Sequence, residues 1–150
     1  MSKMSFGHDF AESIVAVNPN VIMTPYTGGD FSYSGYTPDV VVNGKYNVKV
    51  IFQNTKIRNW KRDWSDVSLT IRNNNVIDHY LGYARYQNMV FVRINSENKR
   101  VFIYRYNSVK PSKSFDDSYY VMYSSGVCLK YTDNESLYKA IAKGLLTICK

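Results

Sequence analysis

Residues 37–52 read TPDVVVNGKYNVKVIF, and this segment has the pattern of a β-hairpin. The β-branched run Val40 to Val42 favours a strand, and the strand pattern resumes from Tyr46 to Phe52. Between them, Asn43-Gly44 is the dipeptide that favours a tight type I′ turn, because both residues tolerate positive φ. The sequence therefore predicts two antiparallel strands joined at Asn43-Gly44.

Both ends of the chain show apolar residues at helical spacing. Near the beginning, the repeat Phe6, Phe10, Ile14 and Val17 predicts an amphipathic helix that ends before Pro19. Near the end, Thr132 and Glu135 stand at capping-box spacing. They precede an apolar stripe of Leu137, Ile141, Leu145 and Ile148. We expect a first helix before the hairpin and a closing helix at the end.

The segments between these helices predict further strands and one more helix. The expected elements are a short strand at Val21 to Met23, a third strand at Val67 to Ile71, a helix capped by Asn75 and running to Ala84, a hairpin of Met89 to Ile94 with Val101 to Tyr106, and a hairpin of Tyr119 to Tyr123 with Val127 to Tyr131 through Ser124-Ser125-Gly126. The pattern indicates one α/β (α+β) domain over residues 1–150, with a core at about 5–109 and a C-terminal extension at about 110–150.

Composition and charge limit the classes of function. The 150 residues are 45% hydrophobic and 21% charged, which is typical of one globular core. The net charge of +7 favours polyanionic partners, with nucleic acid first. Two cysteines fit a reducing compartment, so we expect a cytoplasmic location. We find no apolar run long enough for a membrane span and expect no membrane partner.

Three polar residues of the hairpin form a pattern suited to phosphodiester chemistry. Asn47 and Lys49 are two residues apart, so they share one strand face, and the tight turn folds them back towards Asp39. Hydrolysis of a phosphodiester needs oxygen ligands for a divalent metal and a cation near the scissile phosphate. Asp39 supplies the first and Lys49 the second.

Pro38-Asp39, the intervening strand and turn, and Asn47-Val48-Lys49 resemble the signature of the PD-(D/E)xK nuclease superfamily. The predicted order of helix, hairpin, third strand, helix and strand is similar to that family's core, and the resemblance covers about residues 5–95. It implies a restriction-endonuclease-like fold with a central mixed sheet flanked by helices. It also implies a Mg²⁺- or Mn²⁺-dependent endonuclease, acting on DNA in preference to RNA, including branched or viral DNA, and a possible homodimer.

The chain departs from this signature at Asn47, where the family usually carries Asp or Glu. An amide oxygen can coordinate a metal but adds no negative charge. Many members of the family carry an acidic residue on the first helix, which makes Glu12 the candidate that replaces the lost charge. His8, one turn earlier, and Asp30, in the preceding loop, are further candidates. The resemblance thus assigns the metal to Asp39, Glu12 and Asn47, and catalysis to these residues and Lys49.

A basic and aromatic segment follows the hairpin. Surfaces that grip phosphates and stack on bases interleave cations with aromatic rings. The segment contains Lys56, Arg58, Trp60, Lys61, Arg62 and Trp64. An ordinary amphipathic helix is an equally open interpretation, in which Ile57, Trp60, Trp64 and Val67 pack and the cations face water.

Two other classes of function remain open. In one, the nuclease-like fold has lost catalysis, with Asn47 as the mark of that loss, and binds nucleic acid or a host protein. In the other, the chain is a small viral protein that acts on host factors without touching nucleic acid. Nucleotide hydrolysis is disfavoured, because the sequence has no Gly-rich phosphate loop ending in Lys-Ser or Lys-Thr.

Overall fold

The computed structural model describes residues 3–26, 37–53, 82–83, 85–97, 99–111 and 119–150. Within these ranges the chain is an α+β protein with two helices and a six-stranded mixed sheet. In chain order the elements are α1 (Lys3–Val17), β1 (Met23–Pro25), β2 (Val40–Val42), β3 (Tyr46–Gln53), β4 (Met89–Asn95), β5 (Arg100–Pro111), β6 (Tyr119–Lys130) and α2 (Asn134–Ile148).

The strands lie in the sheet in the order in which they occur in the chain. Neighbouring strands are antiparallel except β3 and β4, which are parallel. A parallel pair requires the intervening chain to return to the end of the sheet where the first strand began. The starts of β3 and β4 therefore lie side by side, next to the turn that joins β2 to β3.

The hairpin of β2 and β3 forms around Asn43-Gly44, as predicted. Asn43 has φ 56° and Gly44 has φ 65°, the positive values that a type I′ turn needs. The amide of Lys45 donates to the carbonyl of Val42 at 3.1 Å and closes the turn. With this turn in place, Val40 pairs with Val48, and the preceding residue, Asp39, lies opposite Lys49.

The two faces of the sheet bury different kinds of side chain. One face is aliphatic: Val40, Val48 and Val92 belong to one hydrophobic cluster with residues of α1 and α2. Because strand side chains alternate between faces, the residues between these valines point the other way. On that second face an aromatic cluster is built from Tyr83, Phe91, Phe102, Tyr104, Tyr106 and Tyr123.

The predicted helices are present at both ends. Phe10 and Ile14 of α1 are buried, and α1 ends at Val17, before Pro19. Ile141, Leu145 and Ile148 of α2 are buried in the same cluster. The C-terminal residues therefore complete the aliphatic core of the sheet.

The closing helix begins one residue later than the capping-box spacing predicted. The N-cap is Asp133, whose carboxylate accepts a hydrogen bond from the main-chain amide of Ser136. In return, the Ser136 hydroxyl accepts a hydrogen bond from the main-chain amide of Asp133. Thr132 lies outside the helix and donates its amide to the same Ser136 hydroxyl. The prediction of Thr132 as the N-cap and Glu135 as its partner was wrong, because Asp133 and Ser136 have the same spacing one residue later and form the capping box.

The predicted hairpin through Ser124-Ser125-Gly126 was also wrong. These residues lie inside one continuous strand, β6, which pairs along its length with β5. The pairing passes from Tyr104 with Gly126 to Tyr106 with Tyr123, so Ser124 and Ser125 form a bulge. At Gly126 an added Cβ would come within 2.8 Å of the Phe102 ring. The glycine therefore permits a close approach of an aromatic side chain inside a strand.

The second predicted hairpin is confirmed, since β4 and β5 are antiparallel around the polar turn before Arg100. The short first strand lies two residues later than predicted, at Met23–Pro25, because Val21 still belongs to the turn after α1. The predicted strand at 67–71 lies outside the described residues. So does most of the helix predicted from Asn75, of which only 82–83 are described.

Candidate functional site

The structure brings Asp39 and Lys49 together. Asp39 immediately precedes β2 and Lys49 lies on β3, and the Asp39 Oδ1 is 3.5 Å from the Lys49 Nζ. The side chains are only 6% and 16% exposed, respectively. Asp39 and Lys49 therefore form a largely buried ion pair on the aromatic face of the sheet.

Main-chain hydrogen bonds hold Asp39 in place on both sides. Its Oδ2 accepts from the amide of Val50 at 2.8 Å, and its own amide donates to the carbonyl of Val48 at 2.9 Å. On the other side, the amide of Tyr26 donates to the carbonyl of Asp39 at 3.1 Å. The main chain of Asp39 is thus fixed on two sides, while one carboxylate oxygen accepts from the Val50 amide and the other faces Lys49.

Tyr83 covers this ion pair. The Lys49 Nζ lies 6.0 Å from the centre of the Tyr83 ring, and the Tyr83 hydroxyl donates to the carbonyl of Thr37 at 3.3 Å. The same ring packs edge-on against Phe91 of β4, with centroids 5.5 Å apart. The Tyr83 ring therefore bridges from β4 to the start of β2 over the lysine.

Asn47 lies on the same face of β3 as Lys49, as predicted from its spacing. Its side-chain NH₂ donates to the main-chain carbonyl of Gln87 at 2.9 Å, and its main-chain N–H donates to the carbonyl of Asn88 at 3.1 Å. The side-chain contact requires a donor, which an aspartate at this position would lack. Asn47 therefore ties β3 to the segment that leads into β4, and its amide oxygen is the atom that can serve a metal.

Glu12 lies in the opposite layer of the molecule. It is an exposed residue of α1, and that helix packs on the aliphatic face through Phe10, Ala11 and Ile14. The Asp39 carboxylate points to the other face, where Lys49 and Tyr83 lie. The structure thus joins Asp39 with Lys49, bonds the Asn47 side chain to Gln87, and places Glu12 on the helix that packs on the other face. His8 belongs to α1, and Asp30 lies outside the described residues.

The donor set can be compared with what a divalent metal needs. Magnesium is commonly held by one or two carboxylates together with substrate phosphates. On the aromatic face the described residues offer the Asp39 carboxylate and the Asn47 amide oxygen. In the described ranges no three His, Cys, Asp or Glu side chains cluster as a metal site. Asp39 and Asn47 are therefore the oxygen donors on this face among the described residues, and Glu12 lies on α1 in the other layer.

Beside the ion pair lies a cluster that we call the Tyr-Arg cluster, formed by Tyr26, Arg85 and Tyr86. The rings of Tyr26 and Tyr86 meet edge to face at 5.9 Å. The Arg85 guanidinium lies 4.9 Å from the centre of the Tyr86 ring, and its Nη2 donates to the Tyr86 hydroxyl at 2.9 Å. Burial, and then the hydrogen-bonded Tyr86 phenol, raise the pKa of Tyr26, so Tyr26 is neutral at physiological pH.

Sequence reasoning did not select Tyr83 or the Tyr-Arg cluster. Tyr83 stands three residues after Tyr80, so the helical pattern contained a weak sign of it. Arg85-Tyr86 is an adjacent cation and aromatic residue, the same kind of signal that singled out the segment from Lys56 to Arg62. That segment, with Arg58, Trp60 and Lys61, lies outside the described residues.

No protein-family model matches the sequence, and a comparison with curated proteins finds no significant match. Among the described residues, no helix is long and apolar enough to cross a membrane.

Proposed function

We propose that this chain is a nuclease-like domain that hydrolyses phosphodiester bonds in nucleic acid, with Asp39 and Lys49 at the centre of its site. The observation that carries the proposal is their 3.5 Å contact across the β2–β3 hairpin. It places a carboxylate, which can hold a metal, beside an ammonium group, which can stabilise a phosphate that gains charge. DNA is the substrate we favour over RNA.

The order of elements supports the proposal. α1, the hairpin strands and the parallel strand β4 occur in the order expected from the resemblance to the PD-(D/E)xK superfamily. A parallel β3–β4 pair also requires a crossover connection, usually helical, which agrees with the helix expected between them. A mixed sheet with this order is not unique to nucleases, so the proposal depends on the Asp39–Lys49 contact.

Each residue has a separate role in this proposal. Asp39 and the amide oxygen of Asn47 would hold Mg²⁺ or Mn²⁺ together with a substrate phosphate. When bound, such an ion lowers the pKa of the attacking water. Lys49 places its charge beside the scissile phosphate. The segment from Lys56 to Arg62 contributes phosphate contacts further along the strand, and a homodimer would offer two sites for two strands.

A second candidate function is nucleic-acid binding without cleavage. It is favoured by the low exposure of the Asp39–Lys49 pair and by Asn47, whose side chain bonds to Gln87. In this alternative the ion pair stabilises the fold and the basic residues hold the backbone. The two candidates predict the same binding and opposite results for cleavage.

The deciding experiment incubates the protein with plasmid, single-stranded DNA, junction DNA and RNA, each with Mg²⁺ or Mn²⁺. Asp39→Asn and Lys49→Met remove the two charges with little change in volume, and Lys143→Ala, an exposed site on α2, is the matched control. Circular dichroism confirms that each variant is folded. Cleavage that both site variants lose and the control keeps supports the nuclease. Binding without cleavage in every condition supports the second candidate.

Asn47→Asp separates the candidates further. In a nuclease it adds a carboxylate to the metal site and lowers the Mg²⁺ concentration needed for half-maximal cleavage. In a purely structural role it removes the donor to Gln87 and gives lower stability with no cleavage. If the protein neither cleaves nor binds nucleic acid at low salt, both candidates are wrong and a host-protein partner becomes the explanation to test.

A further inference from the structure

We propose that Arg85, held in place by Tyr86, is a contact site for a phosphate of the nucleic-acid backbone. The inference rests on the proposed function for the class of ligand. It deepens that function by naming a residue that holds the substrate beside the Asp39–Lys49 pair. Neither the composition nor the resemblance had assigned a role to this residue.

The first step of the argument is the geometry of the Arg85 side chain. Arg85 is exposed, yet its guanidinium has two contacts with Tyr86, one with the ring and one with the hydroxyl. A long exposed side chain usually loses rotamer freedom when it binds a ligand. Because Tyr86 already orients the guanidinium, less of that entropy is lost when Arg85 binds an anion.

The second step is the connection of Tyr86 to the ion pair. Tyr86 packs on Tyr83 with ring centroids 6.2 Å apart, and Tyr83 lies over Lys49. On its other side, Tyr86 contacts Tyr26, whose amide is bonded to the Asp39 carbonyl. Arg85 is therefore linked to both members of the ion pair through packed rings and one main-chain hydrogen bond.

The third step is the chemistry of the ligand. A guanidinium offers planar N–H donors that match two phosphate oxygens at once, which a lysine ammonium does not. Exposed Gln87 and Asn88 follow Arg85 in the chain, and amides of this kind are common backbone contacts in nucleic-acid complexes. A guanidinium, with two exposed amide residues following it in the chain, fits a phosphodiester better than it fits a neutral or cationic ligand.

The test is a fluorescence anisotropy titration with labelled single-stranded DNA, with duplex DNA and RNA of the same sequence as parallel arms. EDTA in the buffer prevents metal-dependent hydrolysis, so binding is measured independently of cleavage. Arg85→Ala is compared with Lys143→Ala, which also removes one positive charge from an exposed site. Arg85→Lys keeps the charge, and Tyr86→Phe keeps the ring but removes the hydroxyl that orients Arg85.

We expect Arg85→Ala to weaken binding about 10-fold or more, the usual effect of losing a hydrogen bond to a charged group. The slope of log Kd against log salt should fall by about 1, as for the loss of one phosphate contact. Arg85→Lys should retain the slope while weakening binding, and Tyr86→Phe should weaken binding by about 3-fold. Lys143→Ala should change Kd by less than about 2-fold.

Two results would overturn the inference. One is an Arg85→Ala protein that binds as tightly as Lys143→Ala, even if wild type cleaves DNA; the proposed function would then stand without this contact. The other is a wild-type protein that binds no nucleic acid at low salt. A selective loss of binding in Arg85→Ala with no cleavage in any metal supports the contact and rejects the nuclease.

Discussion

Asp39 and Lys49 form a largely buried ion pair across the β2–β3 hairpin, and the Asp39 carboxylate also accepts the amide of Val50. Removing one member of such a pair leaves the other charge without its partner in a poorly solvated place. The same two residues are therefore expected to matter for stability as well as for any chemistry.

We predict that Asp39→Ala lowers the free energy of unfolding by about 3 kcal/mol, because it leaves both the Lys49 ammonium and the Val50 amide without the carboxylate. Asp39→Asn should cost less, since its amide oxygen can still accept from Val50. Urea unfolding measures both values. In the double variant Asp39→Ala/Lys49→Met, the loss should be smaller than for Asp39→Ala alone; additive losses would mean that the two side chains are not coupled.

The end of α2 is held by residues far away in the chain. Arg105 donates to the carbonyl of Ile148 through Nε at 3.1 Å and Nη2 at 2.8 Å, and Nη2 also donates to the Tyr46 hydroxyl. Tyr46 in turn donates to the carbonyl of Lys150 at 3.0 Å. A cation here satisfies the last carbonyls of the helix.

We predict that Arg105→Met lowers the free energy of unfolding by about 2 kcal/mol, the usual range for hydrogen bonds from a charged donor. Tyr46→Phe should cost about 1 kcal/mol. Lys143→Ala, on the exposed side of the same helix, should change stability by less than about 0.5 kcal/mol. Amide hydrogen exchange would show faster exchange in the last turn of α2 in Arg105→Met; unchanged exchange there would contradict this role.

We predict that Gly44→Ala lowers the free energy of unfolding by about 1 kcal/mol. Gly44 has φ 65°, and an added Cβ has no atom within 4 Å. The cost is therefore conformational and not steric, as expected for an L-residue in the left-handed region. Gly44→Asn should cost less than Gly44→Ala, because asparagine tolerates this region. Equal losses in thermal unfolding would reject that explanation.

We predict that the buried thiol of Cys149 makes the free energy of unfolding decrease as pH rises in the alkaline range. Burial raises the pKa of its thiol from 9.0 to about 12, against a smaller opposing effect of Arg105. The unfolded chain therefore loses this proton at lower pH than the folded protein. The stability contributed by the protonated thiol is complete below pH 9 and falls as pH rises towards 12. Urea unfolding at pH 8 and pH 10.5 should show a smaller decrease for Cys149→Ala than for wild type. An equal decrease in the two proteins would show that other groups govern the alkaline loss.

Local patterns in the sequence were sufficient for part of the fold. The β2–β3 hairpin follows from Asn43-Gly44 and its flanking strands, and its register alone places Asp39 across from Lys49. The stripes of α1 and α2 follow from the 3.6-residue period. The prediction was wrong where one local signal has two structural causes. The sequence predicts a turn at Gly126, but this residue lies inside β6, where the absence of a side chain makes room for the Phe102 ring.

The sequence by itself therefore determined α1, α2, the β2–β3 and β4–β5 hairpins and the Asp39–Lys49 contact, because each depends on residues close together in the chain. Only the tertiary structure decided which layer each helix occupies, and so that Glu12 lies on the opposite side of the sheet from Asp39. It also decided that Tyr83 covers Lys49 and that Arg105 holds the end of α2. These relations involve residues 27 to 43 positions apart in the chain, and they result from packing on the two faces of the sheet, which no local period encodes.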